Sequence, residues 1–74
     1  MTKLSPLKSR EVISKLKKIG YIVDHVSGSH YIMYGPKIRS RIPVPHHTKD
    51  IKTGTLRSII NQTGLSVEKF MKIK

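Results

Sequence analysis

Apolar residues along this chain fall into helical and alternating spacings, and each spacing predicts an element. Val12, Ile13, Leu16 and Ile19 recur at helical intervals, while Lys8, Arg10, Lys15, Lys17 and Lys18 take the other faces. Ser5 followed by Pro6 reads as an N-cap and first helical residue, because proline lacks the N–H that would go unsatisfied there, and Gly20 supplies the stop. The first element is therefore an amphipathic helix with a basic outer side. Residues 21–26 are rich in β-branched and aromatic side chains and close on Ser27-Gly28-Ser29, which predicts a strand and a turn. A second strand runs over residues 30–34 to Gly35-Pro36. The third covers about residues 38–44, with Ile38, Ile42 and Val44 alternating against Arg39 and Arg41 so that one face packs and the other presents guanidinium groups. Pro43 marks an edge position or the strand's end.

Residues 45–53 read as a loop. Leu56, Ile59 and Ile60 then mark a second amphipathic helix that stops at Gly64, and Ser66 caps a short final turn reaching Met71, with Val67 and Phe70 on its apolar side. The order is helix-strand-strand-strand-helix, an α+β fold in one domain over residues 1–74. Two helices packed on one face of a three-stranded antiparallel sheet make a layered solution for so small a core, with the other sheet face left to solvent. Double-stranded RNA-binding domains share this plan, but a shared plan does not establish a shared function.

Length and composition narrow the function. A chain of 74 residues holds one small core, a size at which the core alone contributes about 3 to 5 kcal/mol. The absence of cysteine rules out disulfides, thiolate zinc sites and a cysteine nucleophile, and fits a reducing compartment. No stretch approaches the roughly 18 to 20 apolar residues of a membrane span, and the N-terminus has no apolar signal core, so a soluble cytoplasmic protein is expected. Charge changes the picture most: 15 Lys and Arg against 4 Asp and Glu give a formal net charge of +11. A field of that size attracts polyanions from a distance and holds phosphates by counterion release. Nucleic acid is the first candidate partner, ahead of an acidic protein or an anionic membrane surface.

The side chains available for chemistry are few. His46 and His47 are adjacent and point opposite ways on an extended backbone, and no carboxylate cluster with ligand spacing accompanies them, so no metal site is expected. Nucleotide-binding glycine fingerprints and a Walker lysine loop are missing. RNA cleavage needs little: the substrate supplies its own 2′-hydroxyl nucleophile, a histidine moves a proton, and basic side chains stabilise charge at phosphorus, with no cofactor. His30 has the most suggestive setting, because Gly28 and Ser29 let a backbone or phosphate approach where the second strand begins. The plainer alternative is a strand-edge histidine with an ordinary hydrogen bond. His25 reads as structural or exposed, and His46 and His47 as loop residues within reach of phosphate. Tyr21, Tyr31 and Tyr34 are aromatic enough to stack on bases, but strand aromatics more often pack, so no stacking platform is assigned.

Taken in order, these segments resemble the HicA toxin family of HicA-HicB toxin-antitoxin pairs. The similarity runs nearly end to end. It comprises Lys17-Lys18-Ile19-Gly20-Tyr21, then Gly28-Ser29-His30 opening the second strand, Ile42-Pro43-Val44-Pro45 with His47 two positions on, residues 52–60, and Gly64-Leu65-Ser66 before Phe70. The resemblance implies a double-stranded RNA-binding-type fold, cleavage of messenger RNA, and His30 as the catalytic histidine. It implies a supporting or phosphate-facing role for His47, none for His46, and a HicB-type antitoxin as partner. Gly28 and Ser29 would then permit close approach of the RNA backbone, with Lys15, Lys18, Lys37, Arg39 and Arg41 as candidate phosphate contacts. A non-catalytic double-stranded RNA-binding module is the main alternative. A DNA-binding protein ranks below it, because neither helix has a helix-turn-helix partner.

Overall fold

A computed structural model describes residues 4–46 and 50–74 of the chain. Its elements are α1 (Ser9–Lys18), β1 (Ile22–Ser27), β2 (His30–Gly35), β3 (Ser40–Pro45), α2 (Thr53–Thr63) and α3 (Val67–Met71). The strands form one antiparallel meander in the order β1-β2-β3, so Pro43 does sit on an edge strand, where a missing ladder donor is tolerated. The expected α+β plan holds, with Leu16 from α1, Met33, Ile42 and Val44 from the sheet, Leu56, Ile59 and Ile60 from α2, and Phe70 from α3 in one buried cluster.

Helix α1 starts later than Ser5-Pro6 predicts. Leu7 is buried, its carbonyl accepts from the Ile51 N–H at 2.9 Å, and Lys8 bridges to Asp50, so this stretch is extended and tied to the chain that leads into α2. Lys8 becomes the N-cap, with its N–H donated to the Glu11 carboxylate at 3.1 Å. Burying Leu7 and pairing two backbone groups outweighs the local proline signal. At the far end Gly64 closes α2 with φ +82°, a left-handed position that glycine accepts without strain, and the Ser66 hydroxyl accepts from the Lys69 N–H to cap α3.

Strand β3 is also shorter than its alternation suggests. Residues 36–39 form the turn between β2 and β3, Arg39 takes φ +50°, and Ile38 stands exposed instead of packing. The register explains why: Gly35 pairs with Ser40, so the hairpin closes before Ile38 can join the sheet.

A β-bulge sets the faces of β1. Val23 opposes Met33 and His25 opposes Ile32, leaving Asp24 as the extra residue. Asp24 and His25 therefore share the solvent face, and Val26 returns to the helix side. Both helices lie over β3, so β1 is covered least and Val26 stays 55% exposed.

Candidate functional site

Three segments converge at one end of the sheet. Ser27 pairs with His30 across the two-residue turn of Gly28 and Ser29, and His30 pairs on its other side with Pro45. Gly28 has φ +57°, as two-residue hairpin turns with a leading glycine require. The Ser9 hydroxyl donates to the Pro45 carbonyl, which pins the start of α1 beside the end of β3. His46 follows, and its N–H donates to the Ser29 carbonyl at 2.6 Å. The hairpin tip, the N-terminus of α1 and the start of the loop after β3 thus meet around His30.

His30 is exposed, and no hydrogen-bond partner engages its ring among the described residues. Alternation puts it on the solvent face of the sheet and puts Tyr31 on the helix face. There an open groove of ≈ 520 Å³ runs between α1 and the sheet, lined by Arg10, Ile13, Ser14, Lys17, Lys18, Tyr31 and His46. The Tyr31 and His46 rings stand 4.6 Å apart between centroids at a 46° tilt. Among the described residues the carboxylate ion pairs involve His25, Arg41 and Lys72, leaving Arg10, Lys17 and Lys18 without an acidic partner.

The expected phosphate contacts do not all gather here. Gly28 and Ser29 form the turn that leads into His30, and Lys18, in the last turn of α1, lines the groove with Tyr31 and His46. Lys37 and Arg39 belong to the turn at the opposite end of β2, a strand length of about 17 Å away at some 3.3 Å per residue. Arg41 is on the solvent face near the Gly35 end of the edge strand β3, ion-paired to Asp24. The Lys15 ammonium donates to the carbonyls of Met71 and Ile73 and so holds the C-terminal segment against α1. His47 lies outside the described residues. Sequence reasoning gives His46 no role, places Arg10 and Lys17 only on the polar side of α1 and passes over Ser14. The spacing of Arg10, Ser14 and Lys17, with Ile13, at i, i+3, i+4 and i+7 is the one sequence signal that they share a face.

Electrostatics here are shaped by shortage of acid. Asp24 is the exception, its carboxyl held below the usual range by the hydrogen bonds from His25 and Arg41. Among the described residues no group of three or more His, Asp or Glu side chains is placed to share a metal ion, and no helix is long and apolar enough to cross a membrane.

No curated protein matches the chain. A family model described as the HicA toxin of bacterial toxin-antitoxin systems matches residues 9–65, a span that runs from the first residue of α1 through the sheet and α2 and takes in His30 with the groove beside it. The chain belongs to the HicA toxin family and stands on the toxin side of a toxin-antitoxin pair.

Proposed function

We propose that the protein is an endoribonuclease that cleaves messenger RNA in the cytoplasm without a metal ion, and that a HicB-type antitoxin restrains it. The observation that carries this reading is His30 itself. Its imidazole is exposed and unengaged at a glycine turn, at the end of a sheet flanked by cations that lack acidic partners.

In the proposed reaction the RNA 2′-oxygen attacks the adjacent phosphorus and the bond from phosphorus to the 5′-oxygen breaks. The products are a 2′,3′-cyclic phosphate and a 5′-hydroxyl. One proton leaves the 2′-hydroxyl and one reaches the departing oxygen, and His30 carries the transfer at one of these two atoms. Lysine and arginine side chains stabilise the extra negative charge on the phosphoryl oxygens as it develops. Gly28, with no side chain, keeps the turn low enough for the RNA backbone to reach His30. The antitoxin competes for the same basic surface, and a +11 toxin meets an acidic partner at an electrostatically raised rate.

The test is cleavage of a labelled RNA in EDTA by wild type and His30→Ala, with folding followed by circular dichroism. The reading expects wild type to cut and the folded variant to bind but cut about 10² to 10⁴ times more slowly. If both bind and neither cuts, the protein is an RNA-binding module instead.

A further inference from the structure

We infer that the groove between α1 and the Tyr31–His46 pair is a subsite for one unpaired nucleotide of the RNA, with the base against the two rings and a phosphate on Arg10, Lys17 or Lys18. The inference rests on the ribonuclease reading and adds to it what the enzyme grips beside the bond it cuts.

The chemistry of the lining points to this occupant. Ile13 and Tyr31 give the groove an apolar floor, and His46 adds a second flat ring. Its rim is cationic, and no acid among the described residues neutralises it. A flat π-face joined to an anion is what a nucleotide offers, and stacking on aromatic side chains accepts any base. A volume of ≈ 520 Å³ falls within the roughly 300 to 1,000 Å³ of small-ligand sites, which suits one nucleotide. Paired bases hide their faces in the stack, so the subsite selects single strands.

Position ties the groove to the reaction. Tyr31 directly follows His30, with Cα atoms about 3.8 Å apart, and the two side chains leave opposite faces of β2. His46 is fixed to the Ser29 carbonyl in the hairpin that presents His30. A base held on Tyr31 and His46 therefore sets how the strand passes the sheet end where His30 stands. His46 is exposed, and its ring makes no hydrogen bond or ion pair among the described residues, so it is available to a ligand.

The experiment uses the full chain carrying His30→Ala, a labelled single-stranded RNA, the same sequence as a duplex, and the single strand with one base at a time removed. Fluorescence anisotropy reads affinity, and the wild-type protein reads cleavage of each strand. Tyr31→Leu or His46→Ala should weaken single-strand binding about 5- to 100-fold, the range for loss of one base stack, while Tyr31→Phe retains it. One abasic position should reproduce that loss against unaltered rings and add nothing in Tyr31→Leu. The abasic strands need no change in the protein, so they decide the matter even if Tyr31→Leu folds poorly. If wild type cuts RNA but no abasic position or ring variant changes affinity, the subsite is wrong and the ribonuclease reading stands. If wild type neither binds nor cuts RNA, both fall. If His46→Ala spares RNA binding but weakens capture by the antitoxin, the groove is a protein contact and the subsite is again wrong.

Discussion

Arg41 lies over the ring of Tyr34, its guanidinium carbon 4.7 Å from the ring centroid, while its Nε donates to the Asp24 carboxylate at 3.2 Å. The bulge in β1 makes this possible by holding Asp24 and His25 together on the solvent face. Arg41 is thus a cation with an acidic neighbour, unlike Lys17 and Lys18. Each phosphate contact to single-stranded RNA steepens the log affinity against log salt by about 0.7. Lys17→Ala and Lys18→Ala should each lower that slope by close to this amount, and Arg41→Ala by less. Titrating RNA affinity against salt checks the ranking, and equal losses at all three positions would count against it.

The same cluster predicts a pH dependence. Hydrogen bonds from His25 and then Arg41 hold the Asp24 carboxyl below its ordinary value of 3.8. A carboxylate favoured in the folded state stabilises the protein above that ordinary value, and the contribution is lost as pH falls through the lower folded value. Asp24 is exposed, so the effect is small. An NMR titration of the side chain should place its midpoint below 3.8, and Asp24→Asn should flatten the acid limb of the stability curve. Parallel acid limbs in the two proteins would remove Asp24 from the account.

Element type was legible because the core residues announce it: Leu16, Met33, Ile42, Ile60 and Phe70 keep helical or alternating spacing, and all are fully buried. Boundaries were less so. Ser5-Pro6 is a good local start signal, yet Leu7 joins the core and the neighbouring backbone pairs with Asp50 and Ile51, contacts that span over 40 residues of sequence and leave no local trace. Ile38 fails for a related reason, since the Gly35–Ser40 pairing that excludes it is a property of two strands together. The place of His30 at the start of β2, just after a glycine turn, was legible from Gly28 and Ser29. The groove was not, because Arg10, Ser14 and Lys17 look like any solvated helix face until β2 and β3 bring Tyr31 and His46 opposite them.

Gly28 tests how far the hairpin governs the site. Its φ of +57° disfavours any side chain, yet a Cβ there would meet nothing within 4 Å. Gly28→Ala should therefore cost about 1 kcal/mol through backbone conformation alone, measured by urea unfolding. A turn that relaxes to negative φ re-aims His30, so cleavage should fall by more than RNA affinity does. Equal falls in both would mean that the turn matters only for holding the fold.

At the other end of the sheet Tyr21 covers Gly35 so closely that a Cβ on Gly35 would lie 2.8 Å from Tyr21 Cε2 and Cζ. Gly35→Ala should destabilise the protein by about 1 to 3 kcal/mol, the cost of forcing volume into a packed site, a large share of what a core this size provides. The Tyr21 hydroxyl is buried with no hydrogen-bond partner among the described residues, and burial raises its pKa above the ordinary 10.0. Because the folded state favours the neutral phenol, stability holds below pH 10.0 and declines as pH rises through the folded value. Tyr21→Phe keeps the ring over Gly35 and removes the unpaired hydroxyl. It should gain about 1 kcal/mol at neutral pH and lose the part of the alkaline decline that Tyr21 causes, both read from urea unfolding across pH. A loss of stability at neutral pH would show that the hydroxyl finds a partner in solution. Gly35→Ala should still destabilise the Phe variant, since the clash is with the ring that both proteins share.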